Sequence, residues 1–98
     1  MKFSQRYDWK DALSFRDEAI RICKEYNASL KFKGPTGHFA YEKLLITLIS
    51  GTVTLNGNRI SIEVSTSVAF LFDGRLASEI RAEIEKRGGV FIDGYDGS

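Results

Sequence analysis

A loop with two glycines and a proline, Gly34-Pro35-Thr36-Gly37, is the first part of the sequence whose residue types suggest chemistry. Glycines let backbone amides approach an anion closely, and lysines nearby add positive charge. The same spacing of glycines grips the nucleic-acid backbone in KH domains, although there the loop joins two helices. The residues of this predicted anion site are Lys31, Lys33, Gly34, Thr36, Gly37, His38 and Lys43.

An ordinary turn is the alternative interpretation of this loop. The segment before it, residues 30–33, alternates apolar and lysine side chains in the manner of a strand and not of a helix. Glycine and proline are common in turns because of their backbone geometry alone. The loop therefore predicts either a bound anion or a simple turn.

A second candidate site lies in the apolar stretch from residue 44 to residue 65. If Ser50-Gly51 and Gly57-Asn58 are two-residue loops, this stretch forms a three-stranded antiparallel meander. Glycine at the first position of the Gly57-Asn58 loop favours a type II′ turn. Its outer face has few charges and leaves two large aliphatic side chains in water, which is typical of a surface that packs on another molecule. The residues of this predicted partner face are Leu45, Thr47, Ile49, Thr52 and Thr54.

The register of the meander is consistent at both turns. A turn at Ser50-Gly51 pairs Leu48 with Val53 and Ile46 with Leu55, and a turn at Gly57-Asn58 pairs Leu55 with Ile60 and Val53 with Ile62, so that apolar side chains meet across the strands. Gly51 has an alternative role as a bulge within one long strand over residues 43–56. The aliphatic residues would then share one face and the exposed patch would disappear.

Neither His38 nor Cys23, the single histidine and the single cysteine, has a partner that the sequence identifies. A general base needs a nucleophile or an orienting carboxylate within reach. Cys23 lies on the apolar stripe of a predicted helix, where a buried thiol is unreactive. One cysteine and one histidine do not make a structural zinc site without several carboxylates. We therefore predict no enzyme activity, no cofactor and no metal.

Helical spacing of apolar residues predicts two helices that would position these sites. The first runs from Asp8 or Asp11 to Tyr26, and the second covers residues 75–87 and stops at Gly88. Residues 65–72 are predicted to be a fourth strand or the start of a helix, and residues 90–92 a final edge strand. The two ends of the chain, residues 1–7 and 94–98, are expected to be edge segments or disordered.

The predicted fold is a single α+β domain over residues 1–98. About four antiparallel strands form a sheet with two helices on one face, in the order α-β-β-β-β-α. The net charge of +1 gives no global field that would favour nucleic acid or an anionic membrane. The apolar runs are too short to span a bilayer, the first residues lack the apolar stretch of a secretory signal, and the single cysteine fits a reducing compartment. We expect a cytoplasmic protein without a membrane span.

Four stretches resemble a family of short bacterial proteins encoded beside polyhydroxyalkanoate synthesis genes, the polyhydroxyalkanoic acid system proteins. They are Gly51-Thr52-Val53-Thr54-Leu55, residues 59–64, residues 68–72 and residues 80–85. The resemblance implies a small non-enzymatic cytosolic protein connected with storage granules, and it supplies no catalytic residues.

Two functions are consistent with the sequence. The first is a non-enzymatic interaction module that self-associates, or binds a protein partner, through its sheet face. The alternative is a protein that binds anions or the nucleic-acid backbone through the loop at residues 34–37 and the neighbouring lysines.

Overall fold

The computed structural model describes residues 2–66 and 75–97 of the chain. It confirms an α+β fold in which two helices accompany an antiparallel sheet. The elements follow one another as β1 (Lys2–Asp8), a 3₁₀ turn (Ala12–Ser14), α1 (Phe15–Glu25), β2 (Ser29–Lys33), β3 (Thr36–Lys43), β4 (Ile46–Asn56), β5 (Arg59–Thr66), α2 (Arg75–Lys86) and β6 (Val90–Gly97). The expected four strands are thus extended by one strand before α1 and another after α2.

The six strands form one sheet in the order β2-β3-β4-β5-β1-β6. The first strand of the chain lies inside this sheet, with Tyr7 opposite Ile60 of β5 on one side and Phe91 of β6 on the other. The expectation that residues 1–7 are disordered or at an edge is therefore wrong for the residues from Lys2 onward. The other end of the chain does form an edge, because β6 pairs with β1 as far as Gly97.

Ser50-Gly51 is not a turn, and the three-stranded meander predicted from it is wrong. Both residues lie inside β4, and the chain reverses direction at Leu44-Leu45 instead. Residues Ile49, Val53 and Leu55 consequently face the same side of the sheet, as the alternative of one long strand requires.

Gly51 is required by close packing and not by a turn. A Cβ atom at this position would lie 2.6 Å from Cζ of Phe39 and 2.1 Å from the carbonyl oxygen of Glu63. The Phe39 ring therefore covers the backbone of β4 at the one place where no side chain stands in its way. The register shift between β3 and β4 lies nearer the turn, between the pairs Tyr41–Ile49 and Glu42–Thr47, where Leu48 is the extra residue on β4.

The turn at Gly57-Asn58 is confirmed together with its register. Leu55 lies opposite Ile60 and Val53 opposite Ile62. Of the two turn residues, Gly57 alone has a positive φ, at +61°, as a type II′ turn requires. The carbonyl groups of this turn also accept hydrogen bonds of 2.9 Å from the backbone amides of Trp9 and Ala12, which hold the start of the helical region against the sheet.

Both helices pack on one face of the sheet and both end in the manner expected from their sequence. At the end of α1, Asn27 adopts a φ of 58° and the amide of Ala28 donates to the carbonyl oxygen of Cys23 at 2.8 Å. At the end of α2, Gly88 has a φ of 107° and the amide of Gly89 donates to Ile84. Each is a Schellman motif, which satisfies the last carbonyl groups of a helix.

The hydrophobic core lies between the helices and the middle strands β4, β5 and β1. Its buried members are Tyr7, Ala12, Phe15, Ala19, Val53, Leu55, Ile60, Ile62, Val64 and Ile84.

One buried polar pair crosses this core. The hydroxyl of Tyr7 donates to Oε1 of Gln5 at 2.7 Å, and Nε2 of Gln5 donates to the carbonyl oxygen of Ala77 at 3.0 Å. The pair fixes α2 to β1, because each of these buried groups would otherwise lack a hydrogen-bonding partner.

The prediction for residues 65–72 can be compared with the structure only at the first two residues. Ser65 and Thr66 are the last residues of β5, and the remainder lies outside the described residues. Within the described ranges, no helix is long and apolar enough to cross a membrane.

The close packing at Gly51 can be tested by adding one methyl group. We expect Gly51→Ala to lower the free energy of unfolding by about 2–3 kcal/mol, because Phe39 and the β5 backbone must move apart. Ser50→Ala, one residue earlier in the same strand and on the open side, serves as the control and should change it by less than about 0.5 kcal/mol. Urea denaturation followed by circular dichroism measures both. Equal effects of the two substitutions would contradict the packing role.

The buried hydroxyl of Tyr7 predicts a stability loss in alkali. Burial raises the pKa of Tyr7 above its usual value near 10. Because the folded pKa is the higher one, the stabilisation is complete below pH 10 and declines as the pH rises beyond it. We expect Tyr7→Phe to lower the free energy of unfolding at pH 7 by about 1–2 kcal/mol, since Gln5 loses a donor, and to flatten its decline above pH 10. Urea titrations at pH 7, 9 and 10.5 measure this, and parallel declines would refute it.

Candidate functional site, an apolar hairpin tip beside an apolar cavity

The two most exposed large apolar side chains of the described residues form the turn between β3 and β4, Leu44 at 86% and Leu45 at 101%. Ile46, the first residue of β4, is 59% exposed. We call these three residues the tip. None of them belongs to the core, so the tip contributes little apolar burial to the folded monomer.

The tip stands at the end of a hairpin that extends beyond the described residues of the neighbouring strands. On one side β2 pairs with β3 only as far as Ala40, which lies opposite Ser29. On the other side Thr66, the last described residue of β5, lies opposite Ile49. Closer to the turn, Glu42 lies opposite Thr47 and Lys43 opposite Ile46.

The backbone of the tip is in a conformation that leucine rarely adopts. Leu44 has a φ of 55° and Leu45 a φ of 66°, which together give a two-residue turn with both positions in the left-handed region. This turn usually contains Asn-Gly, because a residue with a branched side chain is strained there by about 1–2 kcal/mol. The backbone strain of the tip thus destabilises the folded monomer, and its exposed side chains add little that would offset the strain.

A cavity of about 410 Å³ opens between the two helices and the sheet, and we call it the cavity. The walls are mostly aliphatic and aromatic. Side chains that represent its three walls are Ile22 and Cys23 of α1, Leu76 and Ile80 of α2, and Phe39 and Ile49 of the sheet. The charged residues that line it, Arg75, Glu79 and Glu83, all belong to α2, and the first two are exposed at its opening.

The size of the cavity distinguishes it from an ordinary packing defect. An apolar void of about 150 Å³ is enough to bind benzene. If the cavity were closed and empty, it would destabilise the fold by on the order of 10 kcal/mol at about 24 cal/mol per Å³. Access to solvent reduces this figure, but an apolar group that fills the cavity would still be strongly favoured over water.

An ion-pair network joins the ends of the two helices beside the cavity. Arg87, only 15% exposed at its side chain, bonds to Glu83 of its own helix and to Oε2 of Glu18 on α1 at 3.1 Å. The hydroxyl of Tyr26 donates to the other oxygen of Glu83 at 2.8 Å. The hydrogen bond from Arg87 lowers the pKa of Glu83, and the bonds to Glu83 raise the pKa of Tyr26 and of Arg87. These shifts are explained by the mutual contacts of the network.

Cys23 lies on the wall of the cavity and is half-buried. Burial raises the pKa of its thiol, so the thiolate is disfavoured at neutral pH. Its position on the inner side of α1 is the one predicted from the helical spacing.

The structure separates the five residues of the predicted partner face. Thr52 and Thr54 lie on the sheet face opposite the helices, which we call the open face. Ile49 lies on the helix-covered face, where it lines the cavity, and Leu45 belongs to the tip. Thr47 follows the tip, and its hydroxyl donates to Oε2 of Glu42 at 3.2 Å. The five residues were grouped by the wrong turn, so they do not form one surface.

The open face is polar in the part where the prediction placed apolar residues. Thr52 stands between His38 and Glu63, while Thr54 stands between Thr36 and Ser61. Neither described helix packs on this face. Its hydroxyl groups can hydrogen-bond to water, and it does not present the apolar patch that the sequence suggested.

The residues of the predicted anion site are likewise not gathered in one place. Gly34, with a φ of +62°, and Pro35 form the turn between β2 and β3. Gly37 lies within β3, where a Cβ atom would meet the ring of Phe32 at 2.9 Å. Lys43 is at the far end of β3, about 23 Å from Thr36 at 3.3 Å per residue.

The remaining members of that set lie at one corner of the open face. Lys31 is opposite His38, and Lys33 is opposite Thr36. Two lysines and one histidine on an exposed strand pair are a modest positive patch. The turn interpretation of residues 34–37 describes the geometry observed.

Most of the tip, and the cavity, were not predicted as sites from the sequence. Leu44 and Leu45 give no turn signal, because leucine is disfavoured at positive φ, and Gly51 offered a better local candidate. The one available signal is a negative one, namely three consecutive aliphatic residues after Lys43 that fit no alternation if the strand is extended through Gly51. The cavity depends on how far apart the helices lie, which periodicity does not report.

Comparisons of the chain with protein-family models, with curated proteins and with solved structures give no match. The resemblance to polyhydroxyalkanoic acid system proteins therefore stays a prediction. Among the described residues there is also no group of three or more histidine, cysteine, aspartate and glutamate side chains placed to hold a metal ion.

Backbone strain at the tip predicts that the chain can be stabilised there. We expect Leu44→Asn together with Leu45→Gly to raise the free energy of unfolding by about 1–2 kcal/mol, because Asn-Gly fits the left-handed turn. The control is Leu44→Ala with Leu45→Ala, which removes the same apolar side chains and retains a strained backbone. Urea denaturation of dilute protein, where association is absent, compares the two. A gain that is equal in both variants would contradict the assignment of strain.

Proposed function

We propose that this protein is a non-enzymatic interaction module that associates through its tip, and that its partner is a second copy of the same chain. The observation that carries the proposal is the exposure of Leu44 and Leu45 in a strained turn. A large apolar group exposed at the end of a projecting hairpin is typical of a protein-binding surface. The site differs from the sheet face expected from the sequence, but the class of function is the same.

The energetics of the tip favour a binding role over a structural one. The exposed side chains add no stability to the folded monomer and the backbone strain acts against it, so neither property helps to explain why this sequence folds. Association reverses the first effect, since burying each leucine or isoleucine side chain contributes about 1.5–3 kcal/mol. The strained turn already holds the side chains outward in the free monomer, so binding introduces no further backbone strain.

The same estimate of burial free energy limits the affinity that the tip alone can provide. Three buried side chains contribute at most about 9 kcal/mol, whereas lost translational and rotational freedom costs about 4–15 kcal/mol. The tip by itself supports only weak association. The surface that receives it must therefore be apolar and concave as well.

The titratable groups with shifted pKa values support a non-enzymatic protein. One ion-pair network at the ends of the helices explains the pKa shifts of Glu83, Arg87 and Tyr26. Burial raises the pKa of Tyr7, which is hydrogen-bonded to Gln5, and the hydrogen bond from Arg6 lowers the pKa of Asp93. Each of these shifts has a structural cause. Cys23 also lines the cavity, but burial raises the pKa of its thiol and so disfavours the reactive thiolate.

Two further expectations stay predictions. A connection with storage granules and a cytoplasmic location are implied by the resemblance and by the composition. Binding of anions or nucleic acid is less favoured than association, because the seven residues proposed for it are divided between a turn, a buried glycine and two ends of β3.

Association through the tip can be tested by sedimentation velocity over a range of protein concentrations. We expect the wild-type chain to form a reversible dimer. Leu45→Lys, and Leu44→Asn with Leu45→Gly, should each raise the dissociation constant at least tenfold, because a charged or polar tip is costly to bury. Leu13→Lys is the matched control, since Leu13 is also an exposed leucine, at 66%.

The two tip variants should show opposite stability and the same loss of association. This separates a lost contact from general unfolding, because Asn-Gly is expected to be more stable than wild type. A wild-type chain that stays monomeric at millimolar concentration, or tip variants that associate as the wild type does, would refute the proposal.

A further inference from the structure

We infer that the tip of one copy enters the cavity of a second copy. This deepens the proposed function, on which it rests, by naming the surface that receives the tip. The chain presents an aliphatic projection, at residues 44–46, and an aliphatic recess, and the described part of the monomer leaves the projection exposed.

The two surfaces match in size and in chemistry. The tip consists of two leucines and one isoleucine, with no polar side-chain atom among them. The facing walls of the cavity include Ile22, Ile49, Leu76 and Ile80, which likewise need no hydrogen-bonding partner. At about 410 Å³ the cavity is more than twice the size that holds benzene, so two or three branched side chains fit within it.

Charged side chains at the edges of the two surfaces allow one ion pair between the copies. Lys43 directly precedes the tip, and Glu79 stands exposed, together with Arg75, at the opening of the cavity. A tip that enters past α2 brings the lysine ammonium group towards this carboxylate. The pair would remain at the rim, where it directs the orientation of the hairpin more than it adds affinity.

The position of the cavity on the same hairpin explains why a second copy is the partner. Tyr41 and Ile49 line the cavity, and the tip follows a few residues further along β3 and β4. An extended hairpin does not fold back on itself, and the exposure of Leu45 shows that its own cavity does not receive it. A second copy has no such restriction.

Reciprocal insertion would close the assembly at two copies. Because tip and cavity are neighbours on each chain, an exchange in both directions places the two contacts side by side around a two-fold axis. Insertion in one direction only would leave a free tip and a free cavity, and would allow growth into longer chains. The geometry points to the closed dimer.

Cys23, the only cysteine of the sequence, lies in the cavity and reports on its occupant. In a Leu45→Cys variant, mild oxidation with copper phenanthroline at a concentration that gives dimer should form a disulfide between Cys23 of one copy and position 45 of the other. Mixing ¹⁴N- and ¹⁵N-labelled chains and analysing the linked peptides by mass spectrometry shows that the bond joins two copies. Leu13→Cys is the control for an exposed cysteine elsewhere, and Leu45→Cys with Cys23→Ser removes the receiving thiol.

The expected result is a 23–45 link between differently labelled chains that is lost in the Cys23→Ser background and absent from Leu13→Cys. Links only between two copies of position 45, or an equal yield from Leu13→Cys, would overturn the inference. Such a result leaves the proposed function standing if the tip variants still dissociate, because the tip would then be received elsewhere. A wild-type chain that never dimerises would overturn both.

Alkylation of Cys23 by a maleimide gives a second measurement on the unaltered chain. As protein concentration rises through the dimerisation range, the rate constant for wild type should fall at least fivefold, while that of Leu45→Lys stays constant. A constant rate for dimeric wild type would overturn the inference. A Cys23 that is equally protected in monomeric Leu45→Lys would also overturn it, since something other than the tip of a second copy would then cover the thiol.

Discussion

The insertion of β1 between β5 and β6 is the pairing on which the rest of the structure depends. Without it β6 would have no neighbour in the sheet, and the fully buried Tyr7 would lose both of its flanking strands. The same strand carries Gln5, whose amide holds α2 through the carbonyl group of Ala77. The residues just after β1 bond to the Gly57-Asn58 turn and so position the start of the helical region. One short segment thereby fixes both helices against one sheet face.

That arrangement concentrates apolar groups on one side of the sheet and leaves the other side polar. The aliphatic residues of β4 and β5 alternate with threonines and serines, and the helices cover only the aliphatic side. Arg87 ties the ends of α1 and α2 together through Glu18 and Glu83. Further along, the helices are held apart above the sheet, and the cavity is the space between them. Its apolar lining follows from the same alternation that builds the core.

The tip shows a different balance between stability and association. A hairpin turn optimised for the monomer would contain asparagine and glycine, which relieve strain and are compatible with water. Leu44 and Leu45 neither relieve the strain nor interact favourably with water, and their side chains point away from the core. Strain of this kind persists where the surrounding structure enforces it and is often found at binding sites. Here the long pairing of β3 with β4 enforces it, because sliding either strand by one residue would turn Val53 and Ile49 away from the helices.

Local chemistry in the sequence determined the positions of both helices, the Gly57-Asn58 turn with its register, and the α+β class, because each depends on residues close together in the chain. Two features were determined only by the tertiary structure, namely the role of Gly51 and the place where the chain reverses. Glycine at position 51 is compatible with a turn and with close packing, and only the ring of Phe39 from the next strand decides between them. With that turn removed, the chain must reverse at Leu44-Leu45 against local preference. The candidate site was therefore hidden from the sequence, since it exists only because strand pairing outweighs the turn preference of two leucines.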